Sequence, residues 1–117
     1  MGLRALQEEV DRWIRTVGVR YFSEMTNLAI LMEEVGEVAR IFARRYGDQV
    51  PKQNEPPMEL AEELADVLFV LLCLANQTGV DLEAAFRQKM AARTQRDARR
   101  HRENPKLARP SGDETPE

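Results

Sequence analysis

All six prolines of this chain fall in two short stretches, Pro51 to Pro57 and Pro105 to Pro116. Proline removes a backbone donor and clashes inside a helix, so residues 1–50 and 58–104 are free to be helical. Apolar residues there recur at helical spacing. Leu3, Leu6, Val10, Trp13, Ile14 and Val17 mark a first amphipathic helix ending near Gly18. Tyr21-Phe22-Ser23 forms a connector, with Ser23 placed to cap the next helix. Leu28, Leu31, Met32, Val35, Val38, Ala39 and Phe42 mark a second helix from about Glu24 to Arg45, stopped by Gly47. A third runs from about Met58 to Gln77 and ends at Gly79. Asp81 then caps a fourth, which passes Phe86 and Met90 to about His101. No segment alternates as a strand does. The expected fold is all-α, a four-helix bundle-like domain over residues 1–102, with a polar, disordered tail over 103–117.

The balance of 43% hydrophobic and 32% charged residues over 117 positions suits one globular domain with one core. A net charge of -3 argues against a general nucleic-acid binder. The longest apolar run, Val67 to Ala75, falls well short of the roughly 20 residues that a membrane span needs. The charged, amphipathic N-terminus does not read as a signal peptide, so a cytoplasmic protein away from membranes is expected. Cys73 is alone, in an apolar run, and reads as a buried thiol. Trp13 reads as core. Tyr21, Phe22 and Tyr46 can stack on a base, although packing is the plainer account of each.

The second and third helices carry the chemistry. One holds Glu33-Glu34-Val35-Gly36-Glu37 and the other Glu62-Glu63-Leu64-Ala65-Asp66. Glu34 with Glu37, and Glu63 with Asp66, lie one turn apart on one helix face. Glu34 borders the stripe of Ile30, Leu31, Val38 and Ile41, and Asp66 interrupts an apolar run. A buried carboxylate without a partner costs several kcal/mol or neutralises. A cation among the acids removes that cost. Asp66 is expected at the least hydrated edge of such a pocket, with Glu33 and Glu62 outside it or behind it. Oxygen-only donors suit Mg²⁺, or Mn²⁺ in its place. The single histidine, His101, lies far from any Glu-x-x-His pattern, which argues against a di-iron centre. The plainer account is a pair of solvated acidic faces on a bundle with no site.

These two motifs, in the stretches YFSEMTNLAILMEEVGEVARIFARRYG and ELAEELADVLFVLLCLANQTGVDLEAAF, resemble the MazG-like nucleotide pyrophosphohydrolases of the short single-domain type. The resemblance runs from about Leu3 to Arg99. It implies an all-α bundle assembled as a dimer or tetramer. It also implies Mg²⁺-dependent hydrolysis of a nucleoside triphosphate to the monophosphate and pyrophosphate, often to clear non-standard nucleotides. By the same resemblance Glu34, Glu37, Glu63 and Asp66 are metal ligands. Related sequences often carry a Lys and an Asn on the fourth helix. Lys89 is present, but Arg93-Thr94-Gln95 stands where the Asn would fall.

On that reading the acids hold metal against the phosphates, and Glu34 or Glu33 orients the attacking water. The fourth helix is rich in arginine, and Lys89, Arg93 or Arg96 can reach the triphosphate, with Asp97 orienting one of the arginines. Tyr46 is a further substrate contact. The alternative is a helical module whose basic fourth helix binds nucleic acid or an acidic protein. That alternative explains the arginines but not Asp66. Broad apolar faces on a short chain favour self-association.

Overall fold

The computed structural model describes residues 2–57 and 59–108. Four helices follow one another: α1 (Leu3–Thr16), α2 (Glu24–Arg45), α3 (Leu60–Gln77) and α4 (Leu82–Arg102), then a 3-10 turn at Pro105–Leu107. No strand occurs among the described residues. The all-α expectation holds, with α2 at its anticipated limits. Met58 and residues 109–117 of the expected tail lie outside the described residues. The chain divides into two compact units, 1–83 and 84–117.

The ends of the helices follow from local chemistry. The Ser23 hydroxyl accepts the Thr26 N–H at 3.2 Å and caps α2, a contact worth about 1 kcal/mol. Glu24 in its first turn and Arg44 and Arg45 in its last complement the helix dipole. Gly47 follows because a Cβ there would lie 2.8 Å from the Ala43 carbonyl oxygen. Gly79 takes φ +72, the left-handed exit that glycine tolerates. Helix α1 stops at Thr16, short of the expected Gly18. Both Val17 and Gly18 donate their N–H groups to the Trp13 carbonyl, and Val19 turns the chain at φ 73.

In the first unit, α3 lies against both α1 and α2. Asn27 meets Gln77 and Gln7 meets Asn76, while Trp13 sets its edge on Phe69 at 5.8 Å. Both α1 and α2 therefore run antiparallel to α3, and the connector 17–23 must travel back along it. Ile14, Ile41, Val70, Leu72, Cys73 and Ala75 are the buried apolar residues. Trp13, expected in the core, stays 48% exposed, because it lines an open cavity.

A polar clamp closes one end of this unit. Gln7 Nε2 donates to Asn76 Oδ1 at 3.0 Å and to the Val80 carbonyl at 2.8 Å. Its Oε1 accepts the Leu82 N–H at 2.9 Å. Asn76 Nδ2 in turn donates to the Gln7 carbonyl and to the Tyr21 oxygen. The Tyr21 hydroxyl donates to Asp11 at 2.6 Å. Among the described residues no buried side-chain nitrogen or oxygen lacks a partner, as burial of polar groups demands.

Candidate metal and nucleotide site

Antiparallel packing of α2 on α3 sets Glu34 opposite Glu63 and Asp66. Each offers a carboxylate oxygen, and the three oxygens lie within 4.8 Å of one another. Among the described residues no cation or hydrogen-bond donor reaches any of them. Three like charges so placed repel one another strongly where water is scarce. Glu34 shows the consequence. Burial pushes its carboxyl above the usual carboxylate range, and the charges of Asp66, Glu63, Glu37 and Glu33 push it further.

The sequence pointed to Asp66 as the most desolvated acid, and this expectation fails. Asp66 is exposed, while Glu34 and Glu63 are half-buried. Asp66 shares a face of α3 with Val70 and Cys73, but there it lines an open cavity. Leu64, Leu68 and Leu71 remain open as well.

Glu37 lies one turn beyond Glu34, but its carboxylate takes Arg40 Nη2 at 3.2 Å and stands outside the group of three. Glu33 is exposed on α2 and also stands outside it. Tyr46, at the C-terminal end of α2, is exposed and tilts against Phe42 with ring centroids 5.2 Å apart. Helix α4 belongs almost wholly to the second unit, where Lys89 and Arg93 are exposed and carry no ion pair among the described residues. Arg96 is held by both oxygens of Asp97, at 2.9 and 2.7 Å. Arg100 also approaches Asp97, and Arg99 pairs with Glu103. Arg96, Arg99 and Arg100 thus have acidic partners beside them.

The donor set of Glu34, Glu63 and Asp66 fits a metal ion. It is all oxygen, closely spaced and free of internal counter-charge, as hard divalent cations prefer. A cation there would relieve the repulsion that raises Glu34.

Beside the acids opens a cavity of about 340 Å³. Trp13 and Ile14 come from α1, Tyr21 and Phe22 from the connector, Asn27 and Ile30 from α2, and Phe69, Val70 and Cys73 from α3; Glu34 and Asp66 close the side toward the acids. Tyr21, one of the candidates for stacking, forms a wall and is fixed by its bonds to Asp11 and Asn76. Burial is the first cause that pushes its hydroxyl up to about 12, and the bond to Asp11 adds to it. Cys73 is buried as expected, and burial raises its thiol. Sequence reasoning missed Asn27, Ile30, Phe69 and Val70 as cavity walls. The signal was there in the spacing. Asn27 and Ile30 precede Glu34 by two turns and one, and Phe69, Val70 and Cys73 follow Asp66 at the same intervals.

The MazG nucleotide pyrophosphohydrolase domain matches residues 22–101. The chain belongs to the MazG family. It is a hydrolase acting on nucleotides. It is 42% identical over 95 residues to the uncharacterized protein YpjD of Bacillus subtilis, covering 81% of this chain and 86% of that one. The crystal structure of YpjD superposes with a TM-score of 0.68 over 77% of this chain and 90% of the other. A Bacillus-conserved MazG protein, described as a nucleotide pyrophosphohydrolase, is 37% identical, with a TM-score of 0.65 over 79% and 88%. Mouse dCTP pyrophosphatase 1 is 40% identical over 79 residues, spanning 64% of this chain but only 46% of that enzyme. No single helix among the described residues is long and apolar enough to cross a membrane.

Proposed function

We propose that this protein hydrolyses a nucleoside triphosphate to the monophosphate and pyrophosphate with Mg²⁺, or Mn²⁺ in its place. The observation that carries the proposal is the adjacency of three uncompensated carboxylates to an apolar cavity, with Glu34 and Asp66 belonging to both. Glu34, Glu63 and Asp66 hold the ion, and Glu37 is the fourth acid of the set. The bound ion supplies positive charge against the phosphates and acidifies water.

The side chains do the rest. The aromatic and aliphatic walls of the cavity take the nucleoside and exclude water from it. Tyr21, pinned through its hydroxyl, keeps one wall in place. The oxygen of a water bonds to the α-phosphorus, and the α–β bridging oxygen leaves with its electron pair on pyrophosphate. Glu34 or neighbouring Glu33 accepts the proton of that water. Lys89 and Arg93, the two α4 candidates without an ion pair among the described residues, remain proposed phosphate contacts.

The name of the mouse relative points to deoxycytidine triphosphate as the first substrate to test. The test is a panel of standard and oxidised or methylated nucleoside triphosphates with Mg²⁺, read by chromatography of monophosphate and pyrophosphate. Release of both from at least one member is expected. Absence of pyrophosphate across the whole panel, with Mg²⁺ and with Mn²⁺, refutes the reading.

We further infer a homodimer or homotetramer. Met25, Leu28, Met32, Val35 and Phe42 repeat every three to four residues along α2, or at twice that step, and all are exposed in the single chain. A continuous apolar stripe of that kind calls for a partner surface. Met32→Glu should reduce the assembly to a smaller species in light scattering; an unchanged mass removes α2 from the interface.

A further inference from the structure

Past Glu37, α2 changes from acidic to basic. Arg40 and Arg44 continue the face of α2 that bears Glu34 and Glu37, at helical spacing. With the segment Lys52 to Glu55 they line a recess of about 310 Å³. The two arginines are not equivalent. Arg44 is 16% exposed and grips both oxygens of Glu55, itself 9% exposed, at 3.3 and 3.1 Å. This buried, two-pronged pair fastens the α2–α3 connection onto the helix. Arg40 is half-exposed and its guanidinium folds back to Glu37 at 3.2 Å, so its reach toward the acids is visible. Lys52 is exposed, its carbonyl accepts the Glu55 N–H at 3.0 Å, and its ammonium group has no hydrogen bond or ion pair among the described residues. Asn54 holds φ 69, which shapes the turn beyond it.

Three zones therefore follow one another along α2: the apolar cavity at Asn27 and Ile30, the acids at Glu34, and a cationic recess at Arg40 and Arg44. Glu34 to Arg40 spans about 9 Å of helix at 1.5 Å per residue. The order repeats the layout of a nucleoside triphosphate, from apolar base through the α-phosphorus to an anionic tail. We propose that the recess holds the β- and γ-phosphates, with Lys52 and Arg40 as their cationic contacts, and so binds the pyrophosphate product. The inference rests on the hydrolase reading and adds to it the side chains that hold the leaving group. Guanidinium and ammonium groups both suit phosphate oxygens. Arg44, already neutralised by Glu55, keeps the recess in shape.

The test uses Lys52→Ala in the full chain with Mg²⁺, with inorganic pyrophosphate as the probe. Removing one charge-assisted contact should weaken inhibition by pyrophosphate about tenfold and raise KM similarly, with kcat nearly constant. Inhibition by the nucleoside monophosphate, which has no β- or γ-phosphate, should not move. Lys52→Arg should restore most of the loss, and the melting temperature should stay constant in both variants. Unchanged pyrophosphate inhibition in Lys52→Ala overturns the inference, as does equal weakening of pyrophosphate and monophosphate. The outcomes separate from those of the hydrolase reading. If the wild-type protein cleaves no triphosphate, that reading falls alone, because titration calorimetry of pyrophosphate into wild type and Lys52→Ala still reports on the recess.

Discussion

Two stretches of the first unit both place polar side chains between helices, and they solve the problem in opposite ways. At the clamp, Gln7, Asn27, Asn76, Gln77 and Tyr21 are neutral and satisfy one another. About three turns back along α3, Asp66, and Glu63 beyond it, meet Glu34 with no hydrogen-bond or ion-pair partner among the described residues. Groups that hold a fold together consume their own hydrogen-bonding capacity. Groups left with capacity unspent, at a cost visible in the raised proton affinity of Glu34, are available to a ligand. The contrast predicts that mutations in the clamp act on stability and mutations among the acids act on turnover.

The largest effect should come from the acids. Asp66→Asn keeps the shape of the side chain but removes a charge from the group of three. Activity should fall at least 100-fold, beyond the roughly 10- to 100-fold that outer contacts of metal sites cost. The melting temperature without metal should not fall, since a repulsion is relieved. Mg²⁺ should raise the melting temperature of the wild-type protein, by an amount that grows with concentration, and raise that of Asp66→Asn much less. An Asp66→Asn protein that unfolds early would break the contrast, because it would make Asp66 a structural group.

Asn76→Ala tests the other half. It removes the acceptor of one Gln7 Nε2 hydrogen and the side-chain donor to the Gln7 carbonyl, each at 3.0 Å, while Nε2 keeps its bond to the Val80 carbonyl. Leaving buried polar groups unsatisfied costs about 1–3 kcal/mol, to be read from urea midpoints. Turnover by the folded fraction should change severalfold at most, through loss of the hold on Tyr21. A large kcat loss at unchanged stability would move Asn76 from the clamp into the site.

Much of this was legible in the sequence. Proline placement, apolar spacing and Ser23 gave four helices, with α2 correct at both ends. Two acid pairs on consecutive helices gave the cluster. What stayed hidden depends on three dimensions. Asp66 sits in an apolar run, and no one-dimensional pattern says that a cavity opens beside it. Glu37 shares a face with Glu34, but that face also presents Arg40 one turn further on, and the pairing at 3.2 Å depends on side-chain reach. The cavity combines residues from α1, the connector, α2 and α3, and Tyr21 enters it because the chain reverses at Val19.

The smallest effect probes the seam between clamp and cavity, the bond from Tyr21 to Asp11. The Tyr21 hydroxyl, and after it the Arg15 guanidinium, lower the Asp11 carboxyl. A depressed carboxylate contributes stability above the ordinary carboxylate range and loses it as pH falls through its folded value. Tyr21 carries the opposite sign. Its folded pKa, raised to about 12, means that a contribution present below pH about 10, the ordinary tyrosine value, drains away as pH rises toward 12. The melting temperature of the wild-type protein should therefore dip at both ends of the scale. Asp11→Asn should flatten only the acid limb, because its side-chain oxygen still accepts from Tyr21, and Tyr21→Phe should flatten the alkaline limb. Asp11 is partly exposed, so water screens the effect and each change should amount to a few degrees at most. Tyr21→Phe should also loosen the cavity wall and raise KM more than it lowers kcat. If KM stays fixed while the alkaline limb flattens, Tyr21 belongs to the clamp alone and the nucleoside wall must be sought among Trp13, Phe22 and Phe69.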